Sequence, residues 1–258
     1  MIRFDTVSYC YHQRKPIIRE LNLNIEKGKI TTIIGPNGCG KSSVLKLACR
    51  LLKPQSGTVF YNETDINQMK RKAVAREVSV LLQNSQIPDM TALRAVMAAR
   101  YPYQPVFGSP VIEDLEMAEF AMEQTGCDAY RHKHMAELSG GERQKVFLAM
   151  VFAQNTPLVL LDEPTTYLDI HITYEIMELV RRLNKEQEKT IVMVLHDLNL
   201  ALKYSDQIIF MNEGRVFSTH ASGDPNMYAS IKTLFHVETQ CFLQDKKSYY
   251  CFSQTVAK

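Results

Sequence analysis

Residues 35–43 read G-P-N-G-C-G-K-S-S, a run whose residue types and spacing suit phosphate chemistry. It fits G-x-x-x-x-G-K-[S/T], in which a glycine-rich turn aims backbone N–H groups at anionic oxygens. Gly35, Gly38 and Gly40 allow the tight turn, with Pro36, Asn37 and Cys39 filling the loop between them. Lys41 has the reach for β- and γ-phosphates, and the Ser42 hydroxyl suits Mg²⁺. Ser43 opens a helix-compatible run whose positive dipole end would face the same anion. The apolar residues 30–34 lead into the loop, so the sequence predicts strand, loop and helix in that order. That context separates a phosphate loop from a glycine turn before an ordinary helix.

A second constellation lies at 158–164, L-V-L-L-D-E-P: an apolar strand ending in two carboxylates. Doubly wound sheets bind ligands at the carboxyl ends of their strands. Asp162 would orient Mg²⁺ through its water shell, and Glu163 would polarise a water for attack on a terminal phosphate. A third run, L-S-G-G-E-R-Q-K at 138–145, places Ser139, Gly140 and Gly141 at the start of a helix through Ala153 and makes a second anion-seeking helix end. One chain thus carries two phosphate-binding devices and one carboxylate pair. A symmetric dimer resolves the mismatch, each nucleotide lying between the phosphate loop of one copy and the Ser-Gly-Gly helix of the other.

These residues need a scaffold, and the chain reads as α/β. Residues 2–7 and 18–25 look like strands, and Leu21, Leu23 and Ile25 alternate as on a half-buried strand. The helix after the loop is expected to run to about Leu52 and to be stopped by Pro54. Residues 88–149 change character, rich in Ala, Met and Glu, and read as a helical insertion in which Met90, Met97, Met117 and Met122 are core packing. Within it, 101–108 is a Pro/Gly-punctuated loop. From Pro157 strands and helices alternate to residue 218, implying a largely parallel sheet covered on both faces.

Composition narrows the function further. The 258 residues carry a net charge of +2, which gives no electrostatic case for a nucleic-acid partner. No apolar run approaches the roughly 20 residues that cross a bilayer, and residues 1–5 lack the apolar core of a secretion signal. The expectation is a protein kept in the cytosol, with any membrane role arising through a partner. The six cysteines form no C-x-x-C pair. Cys241 and Cys251 flank a possible hairpin turn and would face each other across a symmetric hairpin, although free thiols are expected in a reducing cytosol. His132 and His134 form an H-x-H on a charged, exposed segment.

Taken together, the motifs resemble ATP-binding cassette (ABC) ATPases. L-S-G-G-E-R-Q is similar to the signature of that family, and it occurs with G-P-N-G-C-G-K-S-S and L-L-D-E-P in the family's order. The resemblance covers nearly all of 1–225. It implies a single ABC ATPase domain there: a RecA-like core at 1–87 and 150–225 with a mostly parallel sheet and an antiparallel β part, and a helical subdomain at 88–149. Residues 226–258 would be an extension packed on the core. The resemblance also implies roles. Gln83 matches the glutamine that touches Mg²⁺ and senses the membrane partner. Tyr11, rather than Tyr9, matches the aromatic residue that stacks on adenine. Asp169, in T-T-Y-L-D, belongs to the D-loop, and His196 matches the switch histidine at the γ-phosphate. Glu142 and Lys145 replace the commoner Gln and Arg of the signature, and Cys39 occupies a variable position; none of these removes a catalytic group.

Finer details resemble the ATPase subunits of importers for iron(III)–siderophores, haem or cobalamin: L-K-P-Q-S-G at 52–57, L-H-D-L-N at 195–199 and the R-x-P-x(5)-G element from Arg100 to Gly108. Such a subunit uses ATP and Mg²⁺ and pairs head to tail with a second copy. It sits on the cytoplasmic side of the inner membrane against polytopic permease subunits, and is served indirectly by a substrate-binding protein. Iron(III)–siderophore import is the first reading. Haem or cobalamin import, an exporter's ATPase subunit, or a soluble ABC ATPase working on nucleic acid, ribosomes or a scaffold are the alternatives. The single cassette and the absence of a basic stripe weigh against the last.

Overall fold

The computed structural model describes residues 1–11, 15–83, 86–105, 111–244 and 247–254. In chain order the strands and helices are β1 (Ile2–Tyr9), β2 (Ile18–Ile25), β3 (Ile30–Ile34), α1 (Lys41–Ala48), β4 (Ser56–Tyr61), β5 (Thr64–Asp65), α2 (Arg71–Glu77), β6 (Val78–Leu81), α3 (Ala92–Ala98), α4 (Ile112–Gln124), α5 (Gly140–Gln154), β7 (Leu158–Asp162), α6 (Ile170–Gln187), β8 (Thr190–Val194), α7 (Leu198–Tyr204), β9 (Gln207–Asn212), β10 (Arg215–Ala221), α8 (Met227–Phe235), β11 (Val237–Gln244) and β12 (Lys247–Gln254). The fold is α/β with parallel and antiparallel pairing. The chain divides into two compact units, Met1–Gln68 with Val192–Lys258, and Met69–Ile191.

In the first unit, β2-β1-β4-β5 form an antiparallel sheet. Leu21, Leu23 and Ile25 are buried as their alternation predicts, and Ile18 joins them. Ile18 breaks the two-residue period because Glu20 takes a left-handed φ of 46°, and the β1–β2 register slips alongside it. Gly57 is needed where β4 crosses β1. Its φ is +76°, and a Cβ there would lie 2.3 Å from the Thr6 carbonyl oxygen. Elsewhere in the unit β3 pairs in parallel with β9, Thr31 opposite Gln207 and Ile34 opposite Phe210. All five residues of β3 are buried, as a strand covered on both faces requires. Its two threonines sit there because they are bonded: Thr32 shares a hydrogen bond with Ser205 at 2.5 Å.

α1 is shorter than expected. It ends at Ala48, not near Leu52, and Pro54 is not what stops it. Arg50 turns left-handed at φ 57°, and the N–H groups of Leu51 and Leu52 both return to the Lys46 carbonyl. The reversal closes the helix well before the proline.

The second unit pairs β6 and β7 in parallel, Val78 opposite Leu158 through Leu81 opposite Leu161. Its helices α3, α4 and α5 bury a cluster that includes Ala95, Val96, Ala118, Met122, Val146 and Ala149; Met90, Met97 and Met117 pack against it. The methionines thus fill core space, as their spacing suggested. His132 and His134 are exposed. Of the 101–108 loop, a 3₁₀ turn at Tyr101–Tyr103 is described, and 106–110 lie outside the described residues.

The chain's last described elements, β11 and β12, form the anticipated hairpin, but its register separates the cysteines. Cys241 pairs with Tyr250, and Cys251 with Gln240. A one-residue offset puts neighbouring side chains on opposite faces, so Cys241 and Cys251 do not face each other. All six cysteines are free thiols. Titration of the denatured, non-reduced protein with a thiol reagent is therefore expected to return six thiols; four would contradict the register.

Candidate functional site

In the first unit, β3 delivers the chain to Gly35, and the loop turns through Gly38 at φ 79° and Gly40 at φ 106°. α1 starts at Lys41 with Gly40 as its cap and no acidic residue in its first turn. A helix start leaves its first N–H groups without intrahelical partners, and a glycine cap offers no side-chain oxygen to satisfy them. Lys41 is 6% exposed, and its ammonium donates to the carbonyls of Gly35 (2.8 Å) and Pro36 (3.0 Å). A buried ammonium needs hydrogen-bond acceptors, and these two carbonyls of its own loop supply them. The N–H of Gly214, in the β9–β10 turn, donates to the Cys39 carbonyl at 3.1 Å and braces the loop from outside. Burial pushes the Cys39 thiol up, against the opposing pull of Lys41, so it is a neutral thiol.

Tyr11 stands over the same helix, its hydroxyl 3.3 Å from Ser43 Oγ and its ring edge-on to Tyr9 with centroids 4.9 Å apart. His196 lies two residues past the end of β8 and is exposed. It leads into Asp197, which caps α7 through the N–H groups of Asn199 and Leu200. Asn37 and Gly38 are exposed and Ser42 is half-buried.

The second unit places the carboxylates. β7 is buried along its length and ends at Asp162, 3% exposed. Glu163 follows with φ 54°, a left-handed conformation that is uncommon outside glycine and marks functional turns. Its Oε2 accepts from Gln83 Nε2 at 2.5 Å and from Thr166 Oγ1 at 3.0 Å. Gln144 of α5 donates to the Pro164 carbonyl at 2.7 Å and holds the turn from below. Two donors on one oxygen fix where this carboxylate points.

In the same unit, Ser139 caps α5. Its hydroxyl accepts from the Glu142 N–H at 3.3 Å, and Glu142 Oε2 accepts from the Ser139 N–H at 2.8 Å. In this reciprocal box the Glu142 carboxylate closes the helix start, a place that a glutamine also fills. The Ser139 N–H, with the Ser139 hydroxyl, holds the Glu142 carboxyl below the usual range. Asp169 caps α6 through the Ile172 N–H at 2.9 Å. Ser139, Gly140, Gly141, Glu142 and Asp169 together line one cavity of about 380 Å³, which Tyr130, Lys145 and Tyr167 also border.

The sequence-derived residues therefore fall into groups: Tyr11 with the loop 35–43, Gln83 with Glu163, and 139–142 with Asp169. Thr166 and Gln144 were missed. The signal for Thr166 was present in its spacing, three residues after a glutamate in a turn. The S-x-x-E spacing of 139–142 was likewise a readable capping box. Within the first unit, a helix start behind glycines and a buried ammonium suit phosphate oxygens; within the second, the carboxylates suit a divalent cation.

Gly40 gives a structural test of the loop. A Cβ there would lie 2.6 Å from Ile18 Cδ1 and 2.9 Å from the Ile17 carbonyl oxygen, at a φ that alanine avoids. Gly40→Ala is expected to cost about 2 kcal/mol, which lowers the melting temperature by roughly 5 °C, and to weaken nucleotide binding at least tenfold. Wild-type melting and binding would contradict the loop geometry.

Comparison with known proteins agrees with this arrangement. The family model described as ABC transporter matches residues 18–166. The iron(3+)-hydroxamate import ATP-binding protein FhuC of Bacillus subtilis is 41% identical over 225 residues, 87% of this chain and 84% of that protein. The achromobactin transport ATP-binding protein CbrD of Dickeya dadantii is 43% identical over 223 residues, 86% and 83%. The ferric enterobactin transport ATP-binding protein FepC of Escherichia coli is 41% identical over 206 residues, 80% and 76%. Among solved structures, the dimeric post-hydrolysis state of the ATP-binding cassette MJ0796 bound to ADP and Pi superposes with a TM-score of 0.76 at 28% identity, covering 86% of this chain and 98% of that one. The chain therefore belongs to the ABC transporter family and is an ATPase.

Proposed function

We propose that this chain is the ATP-hydrolysing subunit of an importer for iron(III)–siderophore complexes. The observation that carries the reading is the extended similarity, over 206 to 225 residues, to subunits named for hydroxamate, achromobactin and enterobactin transport. No helix among the described residues is long and apolar enough to cross a membrane. The transport path then belongs to partner permease subunits, against which this chain sits on the cytoplasmic side of the inner membrane.

In this reading ATP is the substrate and Mg²⁺ its companion. Residues 35–43 wrap the phosphates with backbone N–H groups, Lys41 swings from its own loop carbonyls to the β- and γ-phosphates, and the Tyr11 ring meets the base. Ser42, Asp162 and Gln83 would hold Mg²⁺, which would supply neutralisation of charge on the phosphate oxygens. Glu163 takes the proton of the attacking water as its oxygen bonds to the γ-phosphorus. The bond from that phosphorus to the bridging oxygen breaks, leaving ADP and phosphate. His196 contacts the γ-phosphate. Ser139, Gly140, Gly141, Glu142 and Asp169 complete the site of a second copy, so two ATP molecules close a head-to-tail dimer and hydrolysis reopens it.

Glu163→Gln is expected to bind ATP within a few-fold of wild type while its turnover falls about 100-fold or more; Lys41→Ala is expected to lose most binding. Equilibrium binding and phosphate release check both, and near-normal turnover by either variant would overturn the assignments. Transport itself is tested by growth of a deletion strain on single siderophores as iron source. Loss on one of them, restored by wild type but not by Glu163→Gln, is the expected result. Unimpaired growth on every siderophore would contradict iron import.

A further inference from the structure

The carboxylate read above as the base leaves its strand in a conformation that its own residue type disfavours. Glu163 follows β7 at φ 54°, and a residue with a Cβ keeps a left-handed backbone only when its surroundings impose it. Pro164 is buried and has no N–H, so its carbonyl is the backbone group that must find a partner. That carbonyl accepts from Gln144 Nε2 at 2.7 Å. Three residues past the glutamate, the Thr166 N–H returns to the Glu163 carbonyl at 3.3 Å, and the Thr166 hydroxyl donates to Glu163 Oε2 at 3.0 Å.

Gln144 is half-buried in the first half of α5, a little over one helical turn past the Ser139 cap. At that end α5 is seated on α6: a Cβ at Gly141 would lie 3.4 Å from Ile172 Cγ1 and Cγ2. The turn that carries the base is therefore tied to two elements, to β7 through the chain and to α5 through one side-chain amide. The strand sets where Glu163 begins, and the amide sets how the chain turns there. Relaxation of that turn swings the carboxylate away from the line of an attacking water, and a misplacement of about 1 Å costs on the order of 100-fold in rate.

We propose that Gln144 and Thr166 are positioning residues for hydrolysis: Gln144 holds the left-handed turn through the Pro164 carbonyl, and Thr166 sets the carboxylate within it. The inference rests on the reading of Glu163 as the base. Both residues act through Glu163 and not on the nucleotide, so their loss falls on the chemical step and spares binding.

The test is phosphate release by the full chain over a range of ATP concentrations with Mg²⁺ present. Gln144→Met keeps the length and helix preference of the side chain and removes its donor. Its kcat is expected to fall at least about tenfold, with KM within about twofold of wild type and an unchanged melting temperature. Gln144→Lys, which puts a donor back within reach of the carbonyl, is expected to recover kcat to within about threefold of wild type. Thr166→Val and Thr166→Ser are expected to divide in the same way. In a Glu163→Gln background, where the positioned group is gone, adding Gln144→Met is expected to change the residual single-turnover rate by less than about twofold. A further tenfold-scale fall in that background would show that Gln144 acts elsewhere and overturn the inference. Wild-type kcat in Gln144→Met, a loss that Gln144→Lys does not recover, or an equal loss of binding would overturn it as well, and wild-type kcat in Thr166→Val would remove Thr166 from it. Near-normal turnover by Glu163→Gln alone would instead remove the base assignment, and this inference with it.

Discussion

A helix start exposes N–H groups that no residue of the helix can accept, and this chain is organised around what is done with two such starts. At α1 the cap is Gly40, which offers no side-chain acceptor, and the first residue of the helix, Lys41, carries a buried ammonium. At α5 the cap is Ser139, which takes one N–H and leaves two glycines next to a cavity. A polyanion suits both ends. Most of the surrounding sequence follows from that constraint. β3 is buried along its whole length where it brings the chain to the loop, its two threonines included. Gly214 must lie close enough to brace Cys39, and α1 must reverse early at Arg50 because only its first turn has work to do at the loop.

The division of chemistry between the two units follows the same logic. One unit carries the cationic loop, and the other carries the carboxylates at the end of β7. Lys41 rests on neutral carbonyls, and Glu163 accepts from a neutral amide and a hydroxyl. Hydrogen bonds from neutral donors aim a base without removing its charge.

Legibility in the sequence tracked how local each feature was. The strand, loop and helix at 30–48, the strand ending in Asp162 and the Ser-Gly-Gly helix are contiguous, and their composition states their geometry. The left-handed turn at Glu163 is not written in its own residue type; it depends on Pro164 and on Gln144, which reaches it from α5. The end of α1 was misread because a proline six residues on was a stronger local signal than the return of two N–H groups to Lys46. The cysteine pairing failed on a one-residue register, which hairpin symmetry alone does not fix. Arg100 pairs with Asp114, 14 residues on, and donates to the Ala153 carbonyl, 53 residues on, and no periodicity reveals such links.

The central proposal is that a second copy supplies the Ser139 helix end to each bound ATP. Light scattering after gel filtration measures it directly, on Glu163→Gln so that bound ATP persists. With saturating ATP the account predicts twice the chain mass, returning to a single chain when ATP is omitted or when Ser139→Arg is added to the same protein. A single-chain mass at saturating ATP, with binding verified, would contradict it.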